Sequence, residues 1–387
     1  MSDGADAAAA APTRRGRIRV CLAGTWDAEF GRNVILLRLL DLSDCDITTC
    51  RVDLWAERGD SVVRRSRLGL VMRSLRAYPL LAWRFLLCPR PDIVIVPYPG
   101  HFDVPLVAAL CAIRRVPLMF DMFISLYDTI VSDRRLAHAN SWTARLSRAM
   151  DRLACRLADT VLADTPEHAA YFAGLSGLPP ARFRVLPVGT RENVFHPVPS
   201  IVPDPDVMLF YGTFIPLQGV DTIVRAAKLL EPDGVTVRII GDGQEHGRTR
   251  QLAADLDISN VEWTGMVPLD RLPLEIARAG ICLGIFGTTG KADRVVPNKV
   301  YECLAAARPV VTGDTTAIRS AFAAGELMAV PPGDAAALAL AIRRLRADVE
   351  LRERVRLAGH ARFRLDYSEL PLSATLRSYI EELVRAR

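Results

Sequence analysis

The chain is 387 residues long, half of them hydrophobic and 24% charged. At about 150 residues per domain this predicts two or three domains with sizeable cores, and excludes one small module or a mostly disordered chain. The 49 basic residues stand against 44 acidic ones, a formal excess of +5, which is too small for a nucleic-acid coat, so no nucleic-acid partner is expected.

The N-terminus, MSDGADAAAAAPTRRGR, places acidic and small residues before arginines, the reverse of a secretory signal, and residues 1–16 read as a disordered leader. Continuous apolar runs at 17–24, 92–98, 116–121, 160–164 and 184–189 predict buried strands of a parallel sheet. Between them, 33–42, 104–115 and 142–158 show helical spacing. The stretch 68–88 is the most membrane-like, but Arg73, Arg76 and Arg84 interrupt the ~20 apolar residues that a span requires. Its surroundings, 51–85, interleave arginines with Leu, Val and Trp. That pattern fits either the solvated face of a core helix or an interfacial helix on anionic lipid, the contact then running through 64–85. The expected location is cytoplasmic, with peripheral contact at the inner membrane face under the second reading.

The segment 196–206 carries four prolines in eleven residues and reads as a linker. Beyond it, strands are predicted at 207–212, 235–243, 260–265, 280–286 and 308–314, separated by helices at 220–231, 248–257, 269–279 and 297–307. The fold class is therefore α/β, with two doubly wound, Rossmann-like domains (17–195 and 207–370) facing across a cleft. Strand ends and helix N-termini converge on such a cleft, which makes it the expected ligand site.

Eight scattered cysteines without a C-x-x-C pair or paired Cys/His spacing predict neither a metal site nor a disulfide framework. The chemistry is instead sought at helix starts. FYGTFIPLQGVDTIVRAA (210–227) and IIGDGQEHG (239–247) are strand, glycine turn and helix, where free amides and the macrodipole attract phosphate. The densest cluster lies at 286–314. A glycine loop, Gly287 to Gly290, leads to Lys291, Arg294 and Pro297, and then to a helix bearing Asn298, Lys299 and Glu302. Lys228, Lys291 and Lys299 are the chain's three lysines, so two of them fall close to Glu302. A solvated Lys/Glu turn is the ordinary explanation; the helix start and flanking glycines favour phosphate and ribose binding. In the first half, Asp121 ends its strand, with Asp128 and Asp133 on the following loop and His101 on an earlier one. A carboxylate there could accept a proton from an attacking hydroxyl or hold a sugar hydroxyl; alternatively Asp121 caps a helix and His101 lines a loop.

The order of these segments, together with LADTPEHAAYF and RVLPVGTRENVFHP (162–197) and VPNKVYECLAAARPVVTGD (296–314), resembles family 4 of the glycosyltransferases, retaining nucleotide-sugar enzymes of GT-B architecture. The resemblance runs from about residue 17 to the C-terminus. It implies a nucleoside-diphosphate sugar as co-substrate in the C-terminal domain, an acceptor in the N-terminal domain, no cofactor and no obligatory metal. It also implies a final helix (371–387) crossing back to the first domain. The function implied is transfer of a hexose-type sugar to an acceptor hydroxyl, in polysaccharide, glycolipid or glycoside biosynthesis.

Several positions depart from the family pattern. Thr213 and Gln218 stand where an arginine and a lysine usually grip the diphosphate, Arg294 replaces the first of two paired glutamates, and Asp121 stands where many members carry histidine. The expected site accordingly has Lys291, Arg294 and Lys299 as a cationic clamp. Glu302 binds ribose, Gly212, Thr213, Gln218, Gly243 and Asn298 lie around the donor, and Asp121 orients donor sugar or acceptor. Two alternatives stay open: a nucleotide-sugar epimerase on the same fold, and a non-catalytic sugar-nucleotide-binding subunit, which the departures at Thr213, Gln218 and Arg294 favour.

Overall fold

A computed structural model of the chain describes residues 17–53, 67–134 and 136–386. The expected leader, 1–16, and the start of the 64–85 segment lie outside the described residues. The first lobe runs β1 (Ile18–Gly24), α1 (Gly31–Leu42), β2 (Cys45–Arg51), α2 (Arg67–Leu87), β3 (Ile93–Val96), α3 (Val104–Arg114), β4 (Leu118–Asp121), α4 (Trp142–Leu157), β5 (Thr160–Ala163), α5 (Pro166–Ser176) and β6 (Phe183–Val185). Its six strands form one parallel sheet in the order β2-β1-β3-β4-β5-β6.

The second lobe continues with β7 (Asp204–Tyr211), α6 (Val220–Leu230), β8 (Thr236–Ile240), α7 (His246–Asp255), β9 (Val261–Thr264), α8 (Leu272–Arg278), β10 (Ala279–Leu283), α9 (Asn298–Ala305), β11 (Val310–Gly313), α10 (Thr316–Ala321), β12 (Met328–Val330), α11 (Ala335–Ala347) and α12 (Val349–Arg362). Its sheet, also parallel, has the order β12-β11-β10-β7-β8-β9. The last helix, α13 (Glu369–Arg385), lies on α1 of the first lobe. Leu372, Leu376 and Ile380 join the core beside Leu36 and Leu39, and Arg38 Nη2 donates to Glu369 at 2.8 Å.

The central strands form because their runs are apolar on both faces: β3 (IVIV) and β4 (LMFD) are buried throughout. Side chains alternate across each sheet, so neighbouring positions join different cores. On the first sheet Val20, Leu22, Ile93 and Ile95 face α1 and α13, while Cys21, Val94, Val96 and Phe120 face the layer made by α2, α3, α4 and α5.

Two strands escape the apolar-run criterion. Both are partly exposed edge strands: β2 (CDITTCR) interrupts its apolar residues with polar ones, and β12 (MAV) is only three residues long. Helix α4 has the expected period but an unexpected orientation. Its buried side is Ala144, Ser147, Asp151, Ala154 and Cys155, and its large apolar residues point outward. Asp151 sets that rotation, because its carboxylate accepts from Ser125 Oγ at 2.6 Å and from the amides of Leu126 and Tyr127 at 3.0 and 3.1 Å, satisfying a buried loop after β4.

Candidate active site

The C-terminal ends of both sheets open on a shared cavity of about 370 Å³, within the ~300–1,000 Å³ typical of small-ligand sites. Tyr98, Phe123, Asp133 and Asp164 line it from the first lobe; Gly212, Gln218, Asn298, Lys299 and Glu302 line it from the second.

Lys299 occupies the first turn of α9, which no side chain caps and no acidic residue opens. Its ammonium donates to Gln218 Oε1 and lies 3.9 Å from the centre of the Phe210 ring. Gly212, at φ +150°, makes room for it, since a Cβ there would stand 3.0 Å from Nζ. Burial of the charge lowers the Lys299 pKa to about 7, against the pull of nearby Glu302. Glu302 Oε2 in turn accepts from the Tyr211 hydroxyl at 2.6 Å, and burial raises its pKa despite that hydrogen bond. Tyr211 carried no sequence signal beyond its place in a buried strand.

A second cavity, of about 330 Å³, lies at the start of α6 and is lined by Gly219, Asp221, Arg225, Arg248, Gly287 and Thr288. Here the helix start carries its own carboxylate, Asp221. That charge already faces the positive end of the dipole and repels a phosphate, so α9 is the better anion site of the two.

The three cations of the expected clamp do face the gap between the lobes, but two of them are already paired. Lys291 Nζ lies 3.2 Å from Asp133 Oδ2 and 3.3 Å from Thr129 Oγ1. Arg294 Nη2 lies 2.9 Å from both oxygens of Asp128, and its guanidinium carbon is 4.2 Å from the Tyr171 ring centre. Both partners belong to the first lobe, so these residues join the lobes, and Lys299 alone presents its charge beside the α9 amides. The clamp expectation is corrected accordingly.

Asp121 is also corrected. It is fully buried, and both its oxygens are taken by Arg32, at 2.8 Å from Nε and 3.0 Å from Nη2. Buried behind that pair and absent from the cavity lining, it does not meet an attacking hydroxyl. His101 is buried too, 3.5 Å from Asp151, with burial lowering its pKa to about 3, so it stays neutral. The carboxylate that does line the cavity from this side is Asp164, which accepts from His168 Nδ1 at 2.5 Å. It lies within the LADTPEHAAYF segment, but nothing in the residue pattern marked it.

Two donor-side expectations fall outside the cavity. Thr213 is exposed and lines neither cavity. Gly243, at φ +151°, packs against the preceding loop, where a Cβ would come 2.7 Å from Phe214 N. Its glycine is explained by that close approach. Gly243→Ala should therefore lower stability by about 1–3 kcal/mol, read as a fall in the urea midpoint at unchanged slope.

Among the described residues no helix is long and apolar enough to cross a membrane. The fold defines a two-lobed α/β protein with a ligand cleft between parallel sheets. Residues 7–189 match the family model described as Glycosyl transferase 4-like domain, and residues 205–348 match Glycosyl transferases group 1. The chain belongs to the GT-B glycosyltransferases of the family 4 type, and it is a glycosyltransferase. It is 25% identical over 250 residues to the lipopolysaccharide core biosynthesis glycosyltransferase LpsD of Rhizobium meliloti (strain 1021), covering 59% of this chain and 70% of that one. Its fold is similar to sucrose-phosphate synthase from Thermosynechococcus elongatus, with TM-score 0.74, 16% identity, and coverage of 96% of this chain and 100% of that one. It is also similar to Anabaena HepE, solved in complex with UDP-glucose, with TM-score 0.68, 15% identity and coverage of 96% and 100%.

Proposed function

We propose that the protein transfers a hexose-type sugar from a nucleoside-diphosphate donor to an acceptor hydroxyl, with retention of configuration and without an obligatory metal. The observation that carries this reading is Lys299, a buried cation at the start of α9, set between Gln218 and Glu302 at the interlobe cavity.

As the sugar–phosphate bond breaks, negative charge grows on the leaving diphosphate. Lys299 and the free amides at Asn298 and Lys299 are placed to stabilise it. Glu302, oriented by Tyr211, receives ribose hydroxyls. Asp164, held by the buried His168, forms the polar edge of the cavity on the acceptor side and takes the acceptor role expected of Asp121.

Metal independence and retention rest on the family resemblance. A UDP-sugar donor is supported by the HepE complex, and a glycan or glycolipid acceptor by the likeness to LpsD.

A donor panel assayed with and without acceptor tests the reading: nucleoside diphosphate should be released only when both substrates are present. Donor affinity should also depend on pH. Lys299 is charged below about pH 7 and neutral above it, whereas the diester phosphates of a nucleotide sugar do not titrate there. UDP-glucose binding should thus weaken as pH rises from 6 to 8, approaching tenfold per unit beyond the lysine pKa, and Lys299→Arg should flatten the profile.

A further inference from the structure

From the outward faces of α2, α3 and α4 we infer a docking surface for an anionic lipid bilayer, extending well beyond the 64–85 segment. Trp142, Leu146, Leu153 and Leu157 follow one another at helical spacing along α4 and are 76%, 47%, 41% and 40% exposed. They stand opposite the small residues that α4 turns toward the sheet. The neighbouring helices continue the pattern. Ile113 of α3 is 72% exposed, and Leu80, Trp83 and Leu87 of α2 are 41%, 63% and 66% exposed. α3 packs against both α2 and α4, and all three cover the same side of the first sheet, so their outer faces form one surface.

The charges on this surface have one sign. Arg145, Arg148, Arg152 and Arg156 flank the α4 ridge and are exposed, and Arg76 and Arg84 do the same on α2. The only carboxylate in the three helices is Asp151, which is buried and committed to the loop after β4. A second protein surface would have to bring acidic residues to meet so many arginines, and a nucleic acid would leave the leucines uncovered. A bilayer supplies both partners at once: lipid phosphates for the guanidinium groups, and the acyl boundary for Trp and Leu.

The surface also adjoins the cleft. The loop that supplies Asp133 and Arg134 to the cavity leads within eight residues to Trp142, and exposed Phe102 follows cavity-lining Tyr98 by four. A protein seated this way holds its acceptor side at the bilayer, where the hydroxyl of a membrane-borne amphiphile can enter. The inference does not depend on the donor-site assignments.

The test is flotation of the full chain, without donor, on phosphatidylcholine vesicles and on vesicles with roughly one part in four phosphatidylglycerol. The protein should float with the anionic vesicles and not the neutral ones, and about 0.5 M salt should release most of it. Trp142→Ser/Leu146→Ser/Leu153→Ser should reduce the bound fraction more than tenfold, and Arg145→Gln/Arg148→Gln/Arg152→Gln by a similar factor. The Trp/Leu variant should keep the parent melting temperature, since its side chains are exposed, and the arginine variant should lose only a few degrees, for the Arg152 Nε bond to the Leu175 carbonyl and the Arg148 contact with the Tyr127 ring. Absence of flotation, equal binding to neutral vesicles, or conversion of a dimer to a monomer by the leucine variant would overturn the inference.

Discussion

Lys299→Met should abolish transfer and at the same time make the protein more stable. Burial holds the lysine pKa near 7, more than three units below its ordinary 10.5, so the folded state bears a cost of a few kcal/mol for keeping a charge there near neutrality. The sign follows from linkage. The depressed pKa leaves the unfolded chain binding more protons between pH 7 and 10.5, so the cost is full below 7 and disappears above 10.5. Methionine fills the same space without the charge, and a melting temperature several degrees higher is expected near pH 7, with the gain shrinking toward pH 10. Transfer should fall by ~10²-fold or more in kcat/KM, the scale seen when one preorganised stabiliser of developing charge is removed. A variant both inactive and less stable would mean that the lysine is structural, held for its contacts with Gln218 and Phe210.

The second large effect is expected at Arg32. Its guanidinium satisfies both oxygens of Asp121 and also donates to the carbonyls of Leu186 and Pro187 at 3.0 and 3.2 Å. Arg32→Met leaves a buried carboxylate without its partner and should cost about 3–5 kcal/mol, read in the denaturant midpoint. The double substitution Arg32→Met/Asp121→Leu removes both charges and should recover most of that loss. Turnover separates the two roles of Asp121. If the pair is structural, the refolded double variant keeps kcat/KM within about tenfold of the parent; if Asp121 acts on substrate, stability returns and turnover does not.

The architecture was legible because central strands of a parallel sheet are apolar on both faces, a pattern that β1, β3, β4, β7 and β10 all carry. Edge strands such as β2 and β12 need only one apolar face, or hardly any, and left no such trace. Two cavity residues were legible where chemistry was scarce: in a chain with three lysines, Lys299 beside Glu302 at a helix start stood out, and both line the interlobe cavity. What could not be read was the destination of charges across long separations. Arg294 meets Asp128 from 166 residues away, and Lys291 meets Asp133 from 158. A cation facing an anionic substrate and a cation joining two lobes have the same sequence appearance.

Helix α4 shows the same limit in another form. Its apolar spacing indicates a stripe but not which way the stripe faces; the buried Asp151, bound to the loop after β4, decides that. Asp121, expected at the cleft, is buried while Asp164 lines the cavity for a related reason. Both end strands of the first sheet, but only one has an arginine within reach, and Arg32 approaches from a helix 89 residues earlier.

The most direct test of the donor site is a crystal structure of the protein soaked with UDP-glucose. The diphosphate should lie within hydrogen-bond distance of Lys299 Nζ and the amides of Asn298 and Lys299, with ribose hydroxyls on Glu302. A diphosphate seated instead at the start of α6, beside Arg225 and Arg248, would contradict the account.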